Sequence, residues 1–144
     1  MTKERSAGVS PFDRGIDAQG TPAAKSALLL FAHGSRDPQW AEPFRAIQRK
    51  VAAARRDLAV EVAFLEIMEP SLPDAVSRLA AAGHTRITIA PLFMARGAHL
   101  KRDLAAMIDT LRTAQSGVEL ALLPAAGEVE EVLDAIGAWV VKHA

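Results

Sequence analysis

The chain contains no cysteine. Disulfides, thiolate metal sites and cysteine nucleophiles are therefore excluded, and any metal ion must be held by nitrogen and oxygen ligands. Aromatic residues are scarce, at 5% of the chain, so Ala, Leu, Val and Ile must build the core. Neither sign of charge dominates: 17 Lys and Arg balance 17 Asp and Glu. That balance argues against a nucleic-acid binder that relies on overall positive charge. No apolar run approaches the roughly 18 residues that suggest a membrane span. The first 26 residues hold no apolar stretch of the secretory kind. The expected compartment is the cytoplasm, with neither nucleic acid nor membrane as partner.

What is present suits one globular domain: 144 residues, half of them hydrophobic. Residues 1–26 are rich in Gly, Ser, Thr, Pro and charge without sustained periodicity, and are expected to form a disordered leader. Residues 27–144 alternate between two patterns. Continuous apolar runs at Ala27–Ala32, Val60–Leu65, Arg86–Phe93 and Val118–Leu123 predict buried strands. Helices are predicted over Pro38–Asp57, Pro70–Ala82, Lys101–Ala114 and Glu128–Lys142. In the first of these, Trp40, Phe44, Ile47 and Val51 recur at steps of three and four. Trp40 and Trp139 fit helix faces and are assigned to the core. The order βαβαβαβα implies an α/β three-layer sandwich around a four-stranded parallel sheet, covered on both faces. Ligands of such sheets bind beyond the carboxyl ends of the strands.

Three candidate groups fall at those ends. His33 ends the first strand and is followed by Gly34, Ser35 and Arg36; Glu66 closes the second; His99 follows the third within Gly97-Ala98-His99. Two imidazoles and a carboxylate suit Fe, Co, Ni or Zn, whereas Mg or Ca would demand more oxygens. The same groups can accept protons. Asp103, four residues after His99, is placed to orient its imidazole. Arg36, Arg96, Lys101 and Arg102 collect on this rim and suit an anion bearing several carboxylates. Glu69 reads as a helix-entry residue, His84 as a turn residue on the opposite rim, and His143 as a frayed end. No dinucleotide fingerprint or phosphate-binding loop is present.

The His33-Gly34-Ser35-Arg36 strand end, the Phe64-Leu65-Glu66 strand end with Glu69-Pro70 behind it, and Gly97-Ala98-His99 followed by Asp103 resemble the CbiX/SirB class-II chelatases. The resemblance covers about Ala27 to Trp139. It implies a chelatase-like fold and insertion of cobalt or ferrous iron into sirohydrochlorin, a tetrapyrrole with eight carboxylates, in cobalamin or siroheme biosynthesis. It puts the metal-site histidines on His33 and His99 and the strand-end glutamate on Glu66. Ser35, Arg36, Arg96, Lys101 and Arg102 then become the substrate-binding set. The metal (Co, Fe or Ni) is a substrate, and no organic cofactor is expected. Larger relatives carry two such halves in one chain; this chain resembles the short form, which forms a homodimer. The polar leader is a departure, and no histidine-rich storage tract is found.

Two rival readings remain. Histidine phosphatases also follow a first strand with His-Gly, but they place an arginine before the histidine, where this chain has Ala32. A non-catalytic metal or tetrapyrrole carrier of the same fold needs the same ligands as a chelatase.

Overall fold

The computed structural model describes residues 24–144. The expected leader lies outside the described residues except at its end. The Lys25 carbonyl accepts hydrogen bonds from Thr85 and Arg86 N–H, and the first strand starts at Ser26.

Four strands form one sheet: β1 (Ser26–Ala32), β2 (Ala59–Phe64), β3 (Arg86–Pro91) and β4 (Glu119–Leu122). All pairs are parallel, in the order β2-β1-β3-β4. The four long helices are α1 (Glu42–Ala54), α2 (Leu72–Ala81), α3 (Ala98–Ala114) and α4 (Glu130–His143). Short 3-10 turns at Pro38–Ala41 and Ala126–Glu128 precede α1 and α4.

Local chemistry sets the helix starts. The Asp37 carboxylate accepts from Gln39 N–H at 2.9 Å, and Pro38 begins the turn that leads into α1. Ser71 caps α2 by accepting from Asp74 N–H, with Pro73 in the first turn. α3 starts at Ala98, three residues before the predicted start at Lys101, so His99 lies inside the first turn.

Strand alternation divides the core. Ala27, Leu29 and Phe31 of β1 join Ile87, Ile89 and Leu120 under α2 and α3, whose Leu72, Val76, Leu79, Leu104, Ile108 and Leu111 are buried. Leu30, Ala32, Val62 and Phe64 face the other way, against Ala41, Trp40 and Phe44 of the α1 layer.

The second face is covered unevenly. α1 shields the β1–β2 half, but on the β3–β4 half Thr88, Ala90 and Leu92 are half-buried and Ala121 and Leu123 are exposed. α4 has no buried residue, and Trp139, assigned to the core by periodicity, is 64% exposed. Periodicity identifies an apolar face but not whether the same chain covers it. No described helix is long and apolar enough to cross a membrane.

Candidate metal site at the carboxyl rim

Parallel pairing continues past the last residues of β1 and β2. Leu65 N–H donates to the Ala32 carbonyl at 2.9 Å, and Glu66 N–H donates to the His33 carbonyl at 3.1 Å. The two backbones approach so closely that a methyl group on Gly34 would overlap the Glu66 carbonyl, and Gly34 has φ +102°. Only glycine accepts both conditions. The result is a contact between side chains 33 residues apart: His33 Nε2 lies 3.2 Å from Glu66 Oε1, with both groups about half exposed.

The imidazole is braced from below. The Phe93 ring meets it edge-on, with centroids 6.0 Å apart, and packs edge-on against buried Phe31 at 5.6 Å. Edge-to-face pairs add about 0.5–1.5 kcal/mol beyond burial, so the core fixes one face of His33 while its Nε2 meets Glu66.

His99 is exposed in the first turn of α3. Among the described residues no group of three His, Asp or Glu is close enough to hold an ion. The structure thus brings together His33 and Glu66, and leaves His99 on the neighbouring segment of the same rim. Asp103 is exposed one turn further along α3.

The expected anion-binding residues differ in availability. Arg36 is exposed, as are Lys101 and Arg102, whose Nε donates weakly to the Ala98 carbonyl at 3.4 Å. Ser35 Oγ accepts from Asp37 N–H and shapes the turn after β1. Arg96, expected among the substrate-binding residues, is paired within the chain. Its side chain is only 9% exposed. Its Nη2 donates to both Glu128 oxygens, at 2.9 and 3.1 Å, and its Nε donates to one at 3.3 Å.

Glu128 is the site's unforeseen residue. It also lies 3.8 Å from Lys101 Nζ. The Arg96 hydrogen bond, reinforced by the charges of Arg96 and Lys101, holds its carboxyl below the usual glutamate range. Gly127 N–H donates to the Phe93 carbonyl at 2.9 Å, and a methyl group on Gly127 would overlap the Met94 carbonyl. The turn before α4 therefore clamps the loop that carries Phe93 toward His33 and leads into His99. Nothing in the sequence joins Arg96 to a residue 32 positions away. Gly127 before an acid was the available signal.

His84 is buried, its Nδ1–H donating to the Leu79 carbonyl at 3.0 Å, and so is structural as read. Two sizeable hollows among the described residues lie elsewhere. One of about 550 Å³ is lined by Glu69, Pro70, Asp74, Ser77 and Arg78. One of about 340 Å³ sits near Ser26, Arg55 and Arg86. The His33–Glu66 pair stands on an open rim.

The family model described as CbiX matches residues 27–142. A sirohydrochlorin cobaltochelatase from Methanothermobacter thermautotrophicus is 35% identical over 89 residues, 62% of each chain. The chain therefore spans about three-fifths of that curated relative. The crystal structure of a CbiX protein from Marinobacter aquaeolei superposes with TM-score 0.72 at 32% identity, over 82% of this chain and 96% of that one. The sirohydrochlorin chelatase SirB from Bacillus subtilis subspecies spizizenii, in complex with cobalt, superposes with TM-score 0.64 at 26% identity. That match covers 82% of this chain and 50% of SirB.

The Glu128 clamp gives a pH-dependent prediction. A carboxyl whose folded value is depressed stabilises the fold above its unfolded value and loses that contribution as pH falls through the folded one. Glu128→Gln should therefore be less stable than the wild type near neutrality in urea unfolding. The gap should close as pH drops below about 4.3, the ordinary glutamate value. A gap that does not change with pH would contradict the clamp.

Proposed function

The chain belongs to the CbiX family, and from that premise we propose that it is a chelatase that inserts cobalt or ferrous iron into sirohydrochlorin. The observation that carries the reading is the His33–Glu66 contact at 3.2 Å on the carboxyl rim, with His99 on the adjacent helix turn. Imidazole nitrogen and carboxylate oxygen together suit a divalent first-row ion.

The chemistry needs two services from the protein. The ion must exchange water for ring nitrogens, and two pyrrole N–H protons must leave. His33 and His99 hold the ion in transit, and Glu66 completes the set. A neutral imidazole or a carboxylate beside the ring takes the departing protons near neutral pH. The substrate carboxylates rest on Arg36, Lys101 and Arg102, the exposed cations of the rim. Arg96 supports from behind through Glu128.

We also propose that the working unit is a homodimer. α4 leaves Leu133, Ile136, Trp139, Val140 and Val141 exposed, while the β3–β4 half of one sheet face is only partly covered. An exposed apolar helix and a partly covered apolar sheet face in one chain are complementary surfaces that two copies can satisfy reciprocally. A second copy would also supply a wall over the open rim, where SirB has a chain about twice as long as the matched segment.

Two measurements test these readings. His33→Ala and His99→Ala should each lower cobalt insertion, followed by the tetrapyrrole's absorbance, by about a hundred-fold or more. Near-normal turnover in both variants would overturn the site assignment, and single-turnover binding without insertion by the wild type would make the protein a carrier. Sedimentation should give twice the chain mass of 15.4 kDa, and Trp139→Glu should give the monomer. A fully active wild-type monomer would refute the dimer.

A further inference from the structure

Ile67, the residue after Glu66, has φ +69°. Met68 N–H donates to the Glu66 carbonyl at 2.7 Å, closing a three-residue γ-turn on Ile67. The positive-φ form of this turn is rare and strained. For a β-branched residue the left-handed region is a genuine outlier; glycine or asparagine would sit there more easily.

Packing does not explain the choice. Ile67 is 61% exposed. The turn returns Met68 to the cluster of Leu30, Ala32 and Phe64 and leaves Ile67 outside. The position is thus unfavourable twice, in backbone strain and in apolar surface given to water. Strain of this kind concentrates at ligand sites, where it serves function and not stability.

Its neighbourhood says what would use it. Glu66, one residue back, touches His33. On the other flank of β1, Met94 is 60% exposed and follows Phe93, whose ring braces His33. With the order β2-β1-β3, Ile67 and Met94 stand on opposite sides of the histidine. Arg36, Lys101 and Arg102 belong to loops and a helix start at the same rim. Two apolar side chains flanking a polar centre, with cations beyond, match a flat conjugated ring carrying carboxylates at its edge. A hydrated ion or a small polar anion would gain nothing from Ile67 and Met94.

We propose that Ile67 and Met94 are the contacts for the apolar face of the macrocycle, holding it over the His33–Glu66 pair. The inference rests on the chelatase reading and adds to it the residues that grip the ring itself. The strained turn is the means of keeping Ile67 at the surface beside Glu66.

The test uses the full chain and the variants Ile67→Gly and Met94→Ser. Ile67→Gly should raise the melting temperature, because the strain is relieved. It should also raise KM for sirohydrochlorin about ten-fold or more, as expected when an apolar side chain of this size loses its burial against a ligand. Met94→Ser should raise the same KM. Titration with Co2+ alone should match the wild type in both. A lower melting temperature in Ile67→Gly would make Ile67 a structural residue and overturn the proposal. So would an unchanged KM, or a loss of Co2+ binding, which would mean the turn serves Glu66. A fall in sedimentation mass with KM unchanged would assign the patch to a subunit contact instead. If the wild type binds Co2+ but neither binds nor metallates sirohydrochlorin, the chelatase reading fails and this proposal with it. Wild-type turnover with unchanged variant KM overturns this proposal alone.

Discussion

Two backbone hydrogen bonds beyond the ends of β1 and β2, from Leu65 to Ala32 and from Glu66 to His33, hold the candidate site together. They extend the parallel register by two residues past the sheet, and Gly34 makes the approach sterically possible. Interior strands buried on both faces offer no room for polar chemistry. It is displaced to the carboxyl rim, where adjacent strands end side by side. His33 and Glu66 meet there because β1 and β2 are neighbours, and the core supports them through Phe31 and Phe93.

The third strand's contribution depends on a different interaction. His99 is carried by a loop and a helix turn without a side-chain cap. That segment is held by the Arg96–Glu128 pair and by the close approach of Gly127 to Met94. One histidine is fixed by β-pairing and the other by an ion pair at the root of α4. If α4 docks on a second copy, as proposed, the loop before His99 is coupled to dimer formation through residues 127–130. Assembly and site geometry then share one hinge.

Much of this was legible in the sequence, for identifiable reasons. Apolar runs separated by amphipathic segments define a parallel α/β sheet, and the last residue of each run marks the rim; hence His33 and Glu66 stand out before any coordinates. The pairing of Arg96 is not legible because its partner lies 32 residues away, and an arginine beside a candidate histidine looks the same whether free or paired. The exposure of Trp139 is equally hidden, because a helical apolar stripe does not name the surface that covers it. Ile67 gave no signal: its sequence neighbours are ordinary, and only the backbone angle reveals that an unfavourable residue occupies the turn.

The most direct test of the central claim, that one rim gathers one ion between two histidines, is nitrogen-resolved NMR of the imidazoles during titration with diamagnetic Zn2+. The chain has four histidines, two of which serve as internal controls: buried His84, bonded to Leu79, and His143 at the end of α4. The account predicts that the ring nitrogens of His33 and His99 shift together and saturate at the same zinc concentration, while His84 and His143 stay unchanged. Saturation of His33 and His99 at different concentrations, or a response confined to His143, would contradict it.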